Sequence, residues 1–192
     1  MRIVSGVAGG IRLHAPRGTV VRPTEDRVKE SLFGALGDLS GARVLDLFAG
    51  TGALGLEALS RGAASVVFVE RSRQVLPFLR DNIAAVEKSM AGTAGTTRVV
   101  CSAVERAWAA LKADGDGFDL VFADPPYRVP AGEFGAGDLL LSETFAGLSA
   151  DAVLVLEHSS AVSLPWFPRS SWAVVRQKRY GGTVISFARL HS

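Results

Sequence analysis

Residues 44–55 read Val44-Leu45-Asp46-Leu47-Phe48-Ala49-Gly50-Thr51-Gly52-Ala53-Leu54-Gly55, an apolar run that breaks into glycines and then into helix-forming residues. This is the pattern of a strand feeding a tight turn and a helix. Open α/β sheets are built from such units and bind ligands at the carboxyl ends of the strands. Glycines let the backbone approach a ligand closely, and the N–H groups of the helix N-terminus point toward it. Gly50-Thr51-Gly52-Ala53-Leu54-Gly55 also matches G-x-G-x-x-G, so a nicotinamide-dependent oxidoreductase has to be weighed. Asp46 argues against it. A pyrophosphate gains nothing from a carboxylate at the strand end, whereas the amino and sulfonium groups of S-adenosylmethionine (SAM) do. The bland alternative is a tight turn with no ligand, which the strand–turn–helix context disfavours.

Working outward, strand and helix patterns alternate. The segment 24–36 has apolar residues at Val28, Leu32, Ala35 and Leu36, a helical spacing, with Thr24 as N-cap and Glu25 and Asp26 where the helix dipole favours negative charge. Strands are expected over 43–48, 65–70, 98–101, 118–123 and 152–156. Helices are expected over 53–61, about 72–87, near 103–112, and once more before 152. Two further strands, 173–180 and 183–190, flank Gly181-Gly182 and read as a hairpin. Together these predict a doubly wound, Rossmann-like, mostly parallel seven-stranded sheet closed by an antiparallel C-terminal hairpin. Residues 1–22, broken by Gly9-Gly10 and Pro16-Arg17-Gly18, read as a small hairpin-like arm. The expected division is an arm over 1–23 and a main domain over 24–192.

Two more positions carry chemistry. Glu70 closes the strand 65–70, where a carboxylate can accept both ribose hydroxyls of a nucleoside. This serves NAD and SAM alike, and taken alone it is equally a solvated strand end. The decisive motif is Asp124-Pro125-Pro126-Tyr127, directly after the apolar stretch 118–123. The prolines supply no N–H donors and hold the loop extended. The Asp124 carboxylate and the Pro125 carbonyl remain as fixed acceptors beside an aromatic ring. That set fits a planar heterocycle with an exocyclic NH₂: both hydrogens are held, Tyr127 stacks on the ring, and the nitrogen lone pair is aimed at a methyl donor.

Composition bounds the rest. The 192 residues are 48% apolar, enough for one domain with a sizeable core. The single Cys101 excludes an internal disulfide framework or a multi-cysteine metal site, and no metal is expected. No apolar run is long enough to span a bilayer, and the N-terminus lacks a secretory signal, so a soluble cytoplasmic protein is expected. The net charge of +2 hides an uneven pattern. Met1–Thr24 holds Arg2, Arg12, Arg17 and Arg22 with no carboxylate; after Glu157 come Arg169, Arg176, Lys178, Arg179 and Arg189, again with none. Two basic ends flank an acidic middle. Arg outnumbers Lys 17 to 4, which suits phosphate contacts, although merely solvated ends remain an equal alternative.

The chain resembles the RsmD-type methyltransferases, which modify the N2 amino group of a guanine in small-subunit (16S) ribosomal RNA. The matching segments are Arg2–Gly6, Arg22–Phe33, Asp46–Gly62, Asp124–Tyr127, Leu156-Glu157-His158 and Tyr180-Gly181-Gly182-Thr183. The resemblance implies that SAM is the cofactor, bound by Asp46, Phe48, Ala49, Gly50, Thr51, Gly52, Glu70, Arg71, Ser102, Ala103 and Asp124. It further implies that Asp124, Pro125, Pro126 and Tyr127 form the catalytic loop. Arg2, Arg12, Arg22, Thr24 and Arg27 would contact RNA, with ion pairs to Glu25 or Glu30 an equal alternative for Arg22 and Arg27, and the partner would be small-subunit ribosomal RNA or an assembling 30S particle. Where relatives often carry an acidic or amide residue near the SAM adenine, this chain has Cys101-Ser102-Ala103, so that contact falls to the backbone or to Ser102. The Gly-rich stretch 128–138 is a candidate loop closing over substrate. An adenine-N6 methyltransferase uses the same tetrapeptide logic, but about 20 residues of arm leave little room for the target-reading region such enzymes need. A non-catalytic RNA-binding module on the same fold is a further alternative.

Overall fold

The computed structural model describes residues 1–16, 26–112, 117–127 and 132–191. Elements run in the order α1 (Asp26–Leu36), β1 (Arg43–Leu47), α2 (Ala53–Ser60), β2 (Ser65–Glu70), α3 (Leu76–Ser89), β3 (Thr96–Cys101), α4 (Val104–Lys112), β4 (Leu120–Ala123), α5 (Ala136–Leu141), α6 (Glu143–Leu148), β5 (Val153–Ser159), β6 (Trp172–Tyr180) and β7 (Thr183–Leu190). The strands form one seven-stranded sheet in the order β3-β2-β1-β4-β5-β7-β6. The first five are parallel to one another; β7 inserts antiparallel between β5 and β6. This is the doubly wound, Rossmann-like sheet with an antiparallel terminal hairpin that the alternating pattern predicts.

Both faces are covered, which is why the central strands are continuously apolar. Leu32 and Phe33 of α1, with α2 and α3, pack on Val44, Phe68 and Phe122 on one side. On the other, α4, α5 and α6 pack on Leu45, Leu47 and Val121 around Phe145 and Trp172. No helix among the described residues is long and apolar enough to cross a membrane.

Several boundaries differ from the sequence-based expectation for local reasons. Helix α3 starts at Leu76 rather than near 72, because Ser72–Val75 forms a turn in which the Val75 and Leu76 N–H groups both reach the Ser72 carbonyl. Pro77 then sits in the first turn, where a missing N–H costs nothing. Strand β3 begins at Thr96 because its register continues to Ser65. Phe118 is buried but precedes the ladder. The single helix expected before β5 is two, divided at Ser142, whose hydroxyl caps α6 by accepting from the Phe145 N–H. Strand β5 continues beyond Leu156, which puts Glu157 and His158 in the strand. Thr24, the expected cap of α1, lies outside the described residues, as do Arg22 and residues 128–131 of the Gly-rich stretch.

The arm packs on the core. Arg2 and Arg12 form an antiparallel bridge, and Ile3, Ala8 and Leu13 are buried. Glu57 of α2 fastens it: its carboxylate accepts from the Val4 N–H at 2.7 Å and the Ser5 N–H at 3.0 Å, and lies 3.5 Å from the Lys29 ammonium. Lys29, fully buried on α1, also donates to the Arg2 carbonyl.

Candidate active site

The carboxyl ends of β1, β2, β3 and β4 border a cavity of about 910 Å³, within the usual range for a nucleoside-sized ligand. It is lined by Phe48, Ala49, Gly50 and Thr51 from the first turn, by Glu70 and Arg71 after β2, by Ser102 and Ala103 after β3, and by Asp124 after β4, with Asp46 below. Of the expected SAM-binding residues only Gly52 is not in the wall. It adopts φ +86° at the start of α2, where a Cβ would come within 2.7 Å of the Leu79 side chain, so it shapes the turn rather than the surface. Phe48 also has positive φ, 59°, uncommon for a bulky residue and the kind of strain that collects at binding turns.

Hydrogen bonds hold this turn in place. Asp46, 3% exposed, accepts from the Gly55 N–H at 2.8 Å, binding the strand end to α2. Glu70 accepts from the Gly50 N–H at 2.8 Å and the Ser72 N–H at 2.6 Å, fixing its carboxylate at the cavity wall. Asn82 of α3 donates to the carbonyls of Thr51 and His14 and accepts from the His14 N–H, linking the turn to the arm. The Asn82 link and the Glu57–Lys29 pair join residues far apart in sequence, and no local pattern signals either.

The electrostatics select for a cation. Burial, aided by the charges of Asp124 and Glu70, pushes the Asp46 carboxyl well above the usual carboxylate range. Asp46 is thus crowded by two other carboxyl groups at one end of the cavity. None of the groups of His, Cys, Asp and Glu among the described residues is arranged to hold a metal. Arg71 is a basic side chain in the wall, but it is exposed and its guanidinium pairs with Glu133 at 2.9 Å. Such a site repels a pyrophosphate and attracts an ammonium or sulfonium. The Thr51 hydroxyl is buried without a hydrogen-bond partner among the described residues, a polar group left for a ligand in the turn. Ser102, whose hydroxyl donates to the Ala103 carbonyl and whose N–H reaches the Glu70 carbonyl, stands where the adenine contact was expected. These residues fit SAM. Glu70→Ala is expected to weaken SAM binding about a hundredfold, since two charge-assisted hydrogen bonds are lost. Calorimetry on the folded variant checks this, and unchanged affinity would remove Glu70 from the site.

The 124–127 loop forms the other wall. Pro125 is buried, Asp124 and Tyr127 are half-buried, and Pro126 is exposed. A second cavity of about 590 Å³ shares Pro125, Pro126 and Tyr127 and extends to Glu157 and His158 of β5. The Tyr127 hydroxyl donates to the Glu157 carboxylate at 2.9 Å and lies 2.6 Å from the Thr183 hydroxyl of β7. With its one proton spent on Glu157, the phenol oxygen accepts from Thr183. Burial pushes the Tyr127 phenol up to about 12, so it stays protonated at neutral pH and is no base. Glu157 and Thr183 were legible only as parts of the matching segments Leu156–His158 and Tyr180–Thr183, not as anchors of Tyr127.

Of the expected RNA contacts, Arg2, Arg12 and Arg27 are exposed, Arg2 being paired with Asp26 at 2.8 Å. Met1 lines the larger cavity, so the arm begins at its wall.

Comparison with known proteins agrees with this geometry. The chain is 36% identical over 187 residues to the YlbH protein of Bacillus subtilis, covering 97% of each. It is 37% identical over 182 residues to the Escherichia coli protein named ribosomal RNA small subunit methyltransferase D, covering 94% of this chain and 85% of that one. A hypothetical protein from Thermus thermophilus has a solved structure that superposes with a TM-score of 0.76 at 31% identity, covering 99% of both chains. With a match running over residues 1–189, the chain belongs to the family described as Conserved hypothetical protein 95 and carries the Rossmann-like fold of the SAM-dependent methyltransferases.

Proposed function

We propose that this protein transfers a methyl group from SAM to the N2 amino group of a guanine in small-subunit ribosomal RNA. The observation that carries the reading is that one cavity is lined both by the acidic Asp46 and Glu70 and by the rigid acceptor loop 124–127. The relationship to the E. coli small-subunit RNA methyltransferase supports the choice of RNA.

When bound, SAM supplies a methyl group on a positively charged sulfur. Asp124 and the Pro125 carbonyl accept the two hydrogens of the substrate's exocyclic amine and turn its lone pair toward the cavity. The consecutive prolines keep those acceptors from drifting. The Tyr127 ring stacks on the base, its plane fixed at the hydroxyl by Glu157 and Thr183. An aromatic amine becomes strongly acidic once alkylated, so Asp124 acts mainly by orientation, and the surplus proton passes to its carboxylate or to water without a strong base. The base must leave its stack to enter, which favours a loop or junction nucleotide. Arg2, Arg12 and Arg27, with Arg22 and Thr24, would hold the surrounding RNA.

Incubation with labelled SAM and unmodified small-subunit RNA tests this. The RNA is expected to gain methyl label, and calorimetry should show SAM but not NAD binding. NAD binding without transfer would return the site to a dinucleotide enzyme.

A further inference from the structure

The basic side chains of the acid-free carboxyl-terminal stretch have no role in methyl transfer as described, yet the fold brings one piece of that stretch to the site. Thr183 pairs with Ser159 at the end of β5 and with Tyr180 at the end of β6. The β6–β7 turn therefore sits at the carboxyl edge of the parallel strands, the edge that holds the cavities. It is anchored on both flanks, and the Ser160 N–H donates to the Gly182 carbonyl at 2.8 Å. Thr183 holds Tyr127, while Lys178 and Tyr180 both bond to Ser31 of α1. Lys178 is thereby committed to packing.

Arg179 lies on the opposite face of β6 from those two residues. It is exposed, and its guanidinium is held over the turn: Nε donates to the Gly181 carbonyl at 3.1 Å and Nη2 to the Ser160 hydroxyl at 3.3 Å. Ser160 follows Ser159, which lines both cavities. Gly182 adds a second observation. Its φ is not in the left-handed region, and a Cβ there would meet nothing within 4 Å. Neither conformation nor packing demands glycine at this position; what its absent side chain leaves is an open approach to the backbone.

We propose that the β6–β7 turn, through the Arg179 guanidinium and the close approach that the missing side chains of Gly181-Gly182 leave, contacts the phosphate backbone of the RNA strand flanking the target nucleotide. This rests on the RNA methyltransferase reading. The larger cavity is walled by Asp46, Glu70, Glu105 and Asp124, so a polyanion must be attracted from its rim rather than its interior. A guanidinium already held in place, with N–H donors beyond the two it uses, provides that attraction at little ordering cost. Together with the arm it would give the strand a second point of grip.

The test is anisotropy of a fluorescent, unmodified small-subunit rRNA transcript with the full-length wild type, Arg179→Gln and Gly182→Val, over a series of salt concentrations. Arg179→Gln is expected to weaken binding about five- to tenfold and to lower the logarithmic salt slope by about one. Gly182→Val, which leaves charge alone, should weaken binding with the slope unchanged. SAM affinity and melting temperature should match the wild type in both. Wild-type affinity and slope in both variants would overturn the proposal, even where methylation of RNA proceeds. Weakened binding in the variants of a protein that methylates no RNA would uphold the surface and sink the functional reading instead.

Discussion

Replacing Asp124 with alanine is expected to lower methyl transfer about a thousandfold while leaving SAM affinity near that of the wild type. The magnitude is that of losing one preorganised group aimed at the reacting centre, together with the alignment it enforces. Asp124 follows the last residue of β4 and stands in the cavity wall, but the hydrogen bonds that hold the SAM-side turn come from Asp46, Glu70 and Asn82. Removing its side chain therefore strips a contact to the amine and costs the cofactor one neighbouring carboxylate, while the hydrogen bonds that shape its turn stay. Asparagine, which keeps a carbonyl acceptor, should retain more transfer than alanine. Single-turnover rates and calorimetry on the same preparations separate the two effects. A folded Asp124→Ala protein that no longer binds SAM would show that the role has been misassigned.

The largest effect on stability is expected at Glu57. Its carboxylate neutralises the buried Lys29, accepts from two N–H groups of the arm and pairs with Arg61 at 2.9 Å. Glu57→Ala leaves an ammonium uncompensated in the core, a loss of about 3–5 kcal/mol. Its pH dependence is diagnostic. Burial holds the Lys29 pKa below its ordinary value even with Glu57 present, and without Glu57 it falls further. The unfolded chain then binds the proton that the folded one gives up, so the variant's stability rises with pH through the window between the two values. The deficit in urea unfolding should accordingly shrink from neutral to alkaline pH. A deficit that stays constant would mean that the buried charge is not its source.

These two residues mark what a sequence makes legible and what it hides. Asp46, Glu70 and the 124–127 loop stand out because glycine and proline impose backbone geometry locally, and because a carboxylate at the end of an apolar strand breaks a pattern. The resemblance extends that set to neighbours such as Arg71, Ser102 and Ala103, and ten of the eleven expected cofactor residues line the cavity. Lys29 sits inside an amphipathic helix, where one charged residue looks like any other solvated one; Glu57 is the one charge of the mostly apolar α2, but nothing local names its partners. Their burial depends on the arm folding back over α2, a long-range event without local periodicity. The division of the helix before β5 at Ser142 rests on a single side-chain cap, too small a signal to separate from a continuous helix. The anchoring of Tyr127 by Glu157 and Thr183 depends on β7 inserting beside β5, which fixes the register between residues 56 positions apart.

The most direct measurement is the identity of the product nucleoside. Unmodified small-subunit RNA, incubated with the protein and isotopically labelled SAM, is digested to nucleosides and resolved by mass spectrometry. The account predicts label in N2-methylguanosine and in no other nucleoside. Label in N6-methyladenosine, or on a base carbon where there is no exocyclic amine for Asp124 and Pro125 to hold, would contradict it.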